Sequence, residues 1–163
     1  MKRDSKRKGF TLVELLIVIV VIGILSAMMM ISSTEAVASA KAASIIGNMR
    51  TIKTAALAYY IDATNGASDT VSSLTMNMSD VAKYLSGTSE SDLQNSGCEY
   101  TIDGNAVKCT IGGSENEIAR IKTKLVARAK SVGLRNGSGN DAEAYSGDSE
   151  EVYMLIFDGG TSN

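Results

Sequence analysis

An apolar run near the N-terminus constrains this chain more than any other feature of its sequence. Residues 10–31 include one charged side chain, that of Glu14. As an α-helix this run of 22 residues would be about 33 Å long, and the apolar core of a bilayer is about 30 Å thick. The run therefore predicts a helix that crosses a membrane once.

Charged residues are distributed unevenly on the two sides of this run. Those that precede it are Lys2, Arg3, Asp4, Lys6, Arg7 and Lys8, and the next cation is Lys41. The positive-inside rule therefore places the N-terminus in the cytoplasm and the remainder outside. The whole chain has a formal charge of −2 and the first nine residues carry +4, so the remainder carries −6. An acidic remainder argues against a surface that coats nucleic acid.

Composition also lowers the expectation of catalysis. The chain has no His, which is the usual general base at neutral pH and the commonest metal ligand. A membrane-anchored enzyme or binding module would need a recognisable site. The sequence offers no nucleophile–base pair, no Gly-rich phosphate loop after a strand and no metal-ligand constellation. The two cysteines, Cys98 and Cys109, lie in the segment predicted to be exported, where an even pair suggests a disulfide.

The start of the apolar run has a distinctive order of residues, Lys8-Gly9-Phe10-Thr11-Leu12-Val13-Glu14-Leu15-Leu16. It resembles the processing site of prepilins, which type IV pilins share with the pseudopilins of type II secretion systems. The resemblance implies that a membrane peptidase cuts after Gly9 and methylates the new N-terminal Phe10. It also implies that Glu14 pairs with the Phe10 amine of a neighbouring subunit during assembly. The alternative for Glu14 is a position near the cytoplasmic interface, where a charge costs little.

The resemblance is incomplete within the membrane helix. Many relatives carry a glycine and a proline there, and the backbone loosens at these positions during assembly. Gly23 stands at the glycine position, but Ile31 stands at the proline position and the chain has no Pro. Because proline removes a helical hydrogen bond and kinks the axis, its absence predicts a straighter helix near residues 28–34.

A competing interpretation places the cleavage elsewhere. Ala38-Ser39-Ala40 before Lys41 is similar to a signal-peptidase site, and cleavage there would make residues 1–40 a secretory signal. The apolar run is longer than the 7–15 residues usual for such a signal, and Glu14 interrupts its start. The residue at the mature N-terminus distinguishes the two interpretations.

Beyond the apolar run, the helical pattern continues. Apolar residues follow a 4-3-4-3 spacing at Ala38, Ala42, Ile45, Met49, Ile52, Ala56, Tyr59 and Ala63. This stripe predicts one helix from Phe10 to about Asp62, packed on a C-terminal domain along its far half. Small residues dominate residues 32–43, and such residues allow neighbouring helices to approach closely.

The C-terminal residues predict a small domain of mixed structure. A short helix is expected at residues 79–85, ending at Gly87, and a β-hairpin at residues 98–111. If Asp103-Gly104 forms the turn, Ile102 pairs with Asn105, Glu99 with Lys108 and Cys98 with Cys109. Ser114 and Glu117 match a capping box before a second helix, which has an apolar face and ends at Gly133. The apolar face is Ile118, Ile121, Leu125, Ala129 and Val132, and residues 152–157 predict a central strand.

Two charged groups remain open to interpretation. A basic row on the second helix, Arg120, Lys122, Lys124, Arg128 and Lys130, suits nucleic acid or an acidic partner, but it is more often a solvated face or a contact with an acidic neighbouring subunit. Five acids could supply oxygen ligands to calcium, and they are Asp141, Glu143, Asp148, Glu150 and Glu151. Their spacing is not diagnostic of a metal site, so no cofactor is predicted.

Together these observations predict an α+β protein with a long N-terminal helix packed on a small domain that has a short antiparallel sheet and a second helix. The expected segments are a cleaved leader (1–9), a transmembrane assembly helix (10–31), its amphipathic continuation (32–63) and an extracytoplasmic domain (64–163). The resemblance implies a non-enzymatic subunit of a type IV pilus-like filament, held in the membrane before assembly and at the cell surface afterwards. A pseudopilin or a competence-type pilin is the alternative. The implied partners are copies of the chain, membrane lipid, the prepilin peptidase and the assembly machinery.

Overall fold

The computed structural model describes residues 9–64, 76–85, 93 and 97–157, apart from the side chains of residues 31 and 32. The chain divides into two compact units, Met1–Val37 and Ala38–Asn163. The predicted leader up to residue 8 and the predicted end of the short helix at Gly87 lie outside the described residues. Where it is described, the architecture is the predicted α+β arrangement, with a long N-terminal helix, a four-stranded antiparallel sheet and further helix.

Helix α1, Leu12–Thr64, confirms the continuous helix predicted from the sequence. With no proline to remove a hydrogen bond, the helix continues through Ile31. In the first unit the large apolar side chains of α1 are exposed, from 49 % at Val21 to 87 % at Leu12. By length and composition this helix can cross a membrane.

The second unit buries one face of α1, as the apolar stripe predicts. Ala42, Met49, Ile52 and Ala56 are completely covered, and Ala38 and Ile45 nearly so. Tyr59 is partly buried, but Ala63 at the end of the stripe is exposed. The buried face is wider than the stripe, because Ile46 and Ala55 also belong to the core. A helix with 3.6 residues per turn presents such a broad face to a sheet.

The predicted short helix is present as α2, Met78–Val81, followed by a 3-10 turn at Ala82–Tyr84. The Tyr84 ring meets the Tyr59 ring edge-on at a centroid distance of 5.9 Å. Its hydroxyl donates a hydrogen bond to Asp62 Oδ2 at 2.5 Å. These two contacts hold the turn against the end of α1.

The sheet contains β1 (Cys98–Asp103), β2 (Ala106–Ile111), β3 (Leu134–Arg135) and β4 (Glu151–Leu155) in the order β1-β2-β4-β3. All neighbouring strands are antiparallel, and the last strand is central, as predicted. One face joins the main core through Val107, Cys109, Val152 and Met154. The other face has a small apolar cluster of Ala106, Tyr153 and Leu155.

The predicted register of the hairpin is wrong by two residues. The turn is Gly104-Asn105, so Cys98 pairs with Ile111 and Tyr100 with Cys109. Asn105 makes this turn favourable because its side chain forms two hydrogen bonds with the backbone of Phe157. Its Nδ2 donates to Phe157 O at 2.8 Å, and its Oδ1 accepts from Phe157 N at 3.1 Å. A shift of two residues keeps every side chain on its predicted face, since strand side chains alternate.

Helix α3, Glu115–Val132, matches the second predicted helix. Ile121, Leu125 and Ala129 are buried, and Gly133 ends the helix at φ +79° with its N–H bonded to Ala129 O. Ser114 is the N-cap residue, and its side chain makes no capping bond, so only one half of the predicted capping box forms, in which the Glu117 carboxylate accepts from the Ser114 backbone. Glu117 also forms an ion pair with Lys41 of α1.

Candidate processing and assembly site

The predicted cleavage bond lies just before α1. Gly9 and Phe10 are outside the helix, and the Phe10 side chain is 85 % exposed. A Cβ placed on Gly9 would meet no atom of the described residues within 4 Å. These residues therefore leave room for a side chain here, which is consistent with a requirement for glycine set by an enzyme that binds the bond.

Thr11 and Glu14 form a capping box at the start of α1. The Glu14 carboxylate accepts hydrogen bonds from Thr11 N at 2.8 Å and from Thr11 Oγ1 at 3.0 Å. In return, Glu14 N donates to Thr11 Oγ1 at 3.2 Å. The reciprocal bonds satisfy backbone donors that a helix start leaves unpaired. The Thr-x-x-Glu spacing is the signal for this motif, and the sequence analysis missed it.

The capping box positions the Glu14 carboxylate close to the backbone that cleavage would alter. Its partner Thr11 N is one residue from the Phe10 nitrogen, which would become the terminal amine. A carboxylate has about four acceptor positions, so two bonds from Thr11 leave room for a cationic donor. The arrangement is chemically suited to hold an ammonium group, either of this chain or of another copy.

Gly23 lies within α1, in the first unit. A Cβ at this position would meet no atom within 4 Å. No contact with the described part of the chain explains the glycine, and its role as an assembly residue stays a prediction.

Residues 4–30 match the prokaryotic N-terminal methylation motif. This motif is the prepilin signature of type IV pilins and pseudopilins, and it includes Gly9, Phe10, Thr11, Glu14 and Gly23. No curated protein and no solved structure matches the chain. The methylation motif points to a structural subunit, and the apolar helix that it begins is consistent with anchoring in a membrane before assembly.

The cysteines lie far along the chain from the methylation motif. Both thiols are free and buried in the structure, which does not confirm the disulfide predicted from the sequence. The corrected register makes Cys98 and Cys109 diagonal neighbours on one sheet face, where Cα atoms are typically about 7–8 Å apart. That separation is longer than usual for a disulfide. A hydrogen bond with Cys98 and burial both raise the pKa of Cys109 well above its ordinary value.

Several acidic side chains suggested for calcium have other partners. Asp148 accepts a hydrogen bond from Ser146 Oγ at 2.6 Å. Glu151 accepts from the Tyr153 hydroxyl at 2.8 Å and from Lys108 at 3.3 Å, and these contacts lower the pKa of Glu151. Within the described residues, no group of three or more His, Cys, Asp or Glu side chains is arranged to hold a metal ion.

The basic row of α3 is divided between two flanks of the helix. Arg128 donates to Ser39 Oγ at 3.3 Å on the flank that meets α1. Lys122 lies on the opposite flank, beside Ser146 and Gly147 of the loop between β3 and β4. Arg128 and Lys122 therefore lie on different flanks of α3, which weakens the case for one nucleic-acid interface along the row.

Proposed function

We propose that this chain is a structural, non-enzymatic subunit of a type IV pilus-like filament that assembles from copies of itself. The observation that carries the proposal is the methylation motif at residues 4–30 at the start of a helix whose apolar side chains are bare. A peptidase would remove residues 1–9 and methylate Phe10. The mature chain would then wait in the membrane until the assembly machinery extracts it.

The exposed apolar segment of α1 explains why the chain needs lipid before assembly and a helical bundle after it. Its side chains avoid water only in lipid or against other apolar helices, and burial contributes about 25 cal/mol per Å². In lipid, the Glu14 carboxylate has the capping bonds from Thr11. In a helical bundle, a neighbour's Phe10 amine would add an ionic partner. Glu14 would thereby favour the register in which charge is neutralised.

The second unit offers a further surface for helix packing. The face of α1 opposite the core is exposed, and apart from Arg50 it consists of small residues, namely Ala40, Ala43, Ser44, Gly47, Thr51, Thr54 and Ala58. The hydroxyls of Thr51 and Thr54 donate to carbonyls of their own helix, at 3.1 and 2.9 Å. Small side chains with satisfied hydroxyls allow a neighbouring helix to approach closely. We call this surface the small-residue face.

The proposal assigns a role to each segment. Residues 10–31 would span the membrane and later form the filament core, residues 32–63 would extend that core, and residues 64–163 would face the outside. The cytoplasmic N-terminus follows from the cations that precede the apolar run. The assembled protein would lie at the cell surface.

The test is expression of the full chain with a prepilin peptidase and its pilus assembly machinery. We expect a mature N-terminus at methylated Phe10, and filaments of this chain in electron micrographs of the sheared surface fraction. A mature N-terminus at Lys41 would contradict the proposal, as would a processed chain that forms no filaments. Substitution Gly9→Val is the matched control, because it should leave the precursor uncut and unassembled.

A further inference from the structure

Two large apolar side chains stand out on the second unit. Among its described residues, Ile61 at 62 % and Val126 at 38 % are the exposed large hydrophobics. A single exposed apolar side chain is ordinary on a soluble surface. These two side chains differ from that case, because Ile61 protrudes from α1 and Val126 lines a cavity.

Val126 lies in a surface cavity of about 370 Å³ between α3 and the β3–β4 loop. We call this cavity the socket, and it is lined by Ala119, Lys122, Thr123, Val126, Ser146 and Gly147. This space is large enough to admit a side chain from outside, since one water needs only about 10–15 Å³ of such volume. Gly147 keeps the socket open, because a Cβ there would lie 3.0 Å from Val126 Cγ2 and the residue has φ +88°.

Ile61 is on a different part of the same unit. It follows Thr54 by seven residues and Ala58 by three, so it lies on the small-residue face. Helix α3 contacts α1 at Ser39 and Lys41, about 30 Å back along the helix axis from Ile61. Ile61 and the socket are therefore at different positions along the axis of α1. A contact between them requires two copies of the chain.

The charges beside these two features are complementary. Asp62 follows Ile61 and is exposed, and its carboxylate accepts one hydrogen bond, from the Tyr84 hydroxyl. Lys122 precedes Val126 by one helical turn, and within the described residues its ammonium group makes no hydrogen bond or ion pair. A carboxylate can accept from both a hydroxyl and an ammonium group. A copy that inserts Ile61 into the socket would also bring Asp62 to Lys122.

We propose that Ile61 of one copy inserts beside Val126 in the socket of the next copy, with Asp62 paired to Lys122. The inference rests on the proposed function, since it names a contact between the second units of neighbouring copies in the same filament. The two surfaces differ, so the contact is head-to-tail. Such contacts build open helical assemblies when the rotation between copies does not close a ring.

Cysteine cross-linking in assembled filaments tests this contact. The full-length double variant Ile61→Cys with Val126→Cys should form disulfide-linked ladders under mild oxidation, because the two Cβ atoms would lie within bridging distance. The control is Thr54→Cys with Val126→Cys, which has a cysteine two turns away on the same face. We expect at least about tenfold less ladder from the control, since disulfides form only over a narrow range of separations.

The outcomes separate this contact from the proposed function. Filaments without a ladder, or with equal ladders from both pairs, would overturn the contact and leave the filament proposal intact. Absence of filaments from the unmodified chain would overturn both.

A second pair of variants tests the contact without introduced cysteines. Ile61→Asp should reduce filament yield about tenfold or more, whereas Ile61→Leu should stay near wild type. Both changes lie on an exposed position, and equal resistance of the second unit to trypsin would show that both chains fold. Normal filament yield from folded Ile61→Asp would overturn the contact.

Discussion

Glu14 caps the helix to which it belongs, because its carboxylate accepts hydrogen bonds from both the amide and the hydroxyl of Thr11. The same carboxylate is the proposed partner of a neighbour's Phe10 amine. Capping depends on an acceptor oxygen, whereas pairing depends on a negative charge. Substitutions that change one property and keep the other can therefore separate the two roles.

The first prediction concerns the charge of Glu14. Glu14→Gln keeps an acceptor for Thr11 and removes the charge, so processing should continue while filament yield falls about tenfold or more. Immunoblots of precursor and mature chain, together with the quantity of sheared filaments, measure the two steps. Thr11→Ala is the control, since it keeps the charge and costs about 1 kcal/mol of capping. Wild-type filament yield from Glu14→Gln would refute the pairing role.

The second prediction concerns the ion pair between Lys41 and Glu117. The hydrogen bond and charge of Lys41 lower the pKa of Glu117 below its ordinary value of 4.5. A carboxyl group with a lowered folded pKa contributes stability above its unfolded pKa, and this contribution is lost as the pH falls through the folded pKa. Wild type should therefore have a higher urea midpoint than Glu117→Gln at pH 7, and the difference should vanish in acid.

Circular dichroism of the full chain in detergent provides this comparison at each pH. Glu115→Gln is the matched control, because it neutralises an exposed acid two residues away in the same first turn. Its urea midpoint should follow that of wild type more closely than Glu117→Gln does. A constant difference between wild type and Glu117→Gln down to pH 2 would contradict the role of the ion pair.

The third prediction concerns the two thiols. Cys98 and Cys109 are buried, and the pKa of Cys109 is raised, so little reactive thiolate is accessible in the folded chain. Alkylation of the native protein at neutral pH should be at least about tenfold slower than that of the unfolded protein. Mass spectrometry should then find two adducts after unfolding without reductant. Absence of adducts under those conditions would reveal the disulfide predicted from the sequence.

The fourth prediction concerns Asn105, which holds the chain at Phe157 through two hydrogen bonds. Asn105→Ala leaves a partly buried amide and carbonyl without these partners, so it should lower the free energy of unfolding by about 1–3 kcal/mol. Urea unfolding in detergent measures the change. Asn116→Ala, at an exposed position of α3, should stay within about 0.5 kcal/mol of wild type. Equal stability of the two variants would show that the hydrogen bonds between Asn105 and Phe157 do not stabilise the fold.

The sequence determined those features that depend on neighbours along the chain. The helix from Leu12 to Thr64 was predictable because its apolar residues repeat with the helical period and no proline interrupts them. The methylation motif was recognisable because its residues are contiguous. The capping box of Thr11 and Glu14 is equally local, because its Thr-x-x-Glu spacing is visible in the sequence.

Only the tertiary structure decided features that depend on distant residues. The hairpin turn moved from Asp103-Gly104 to Gly104-Asn105, where Asn105 can bond to Phe157, which is 52 residues away. That shift separated the two cysteines along the strands. Likewise, Glu117 pairs with Lys41, which is 76 residues away, in addition to its local bond with the Ser114 backbone. Local patterns specify helices and faces, but a choice between nearly equivalent turns or partners depends on contacts that form when distant segments pack together.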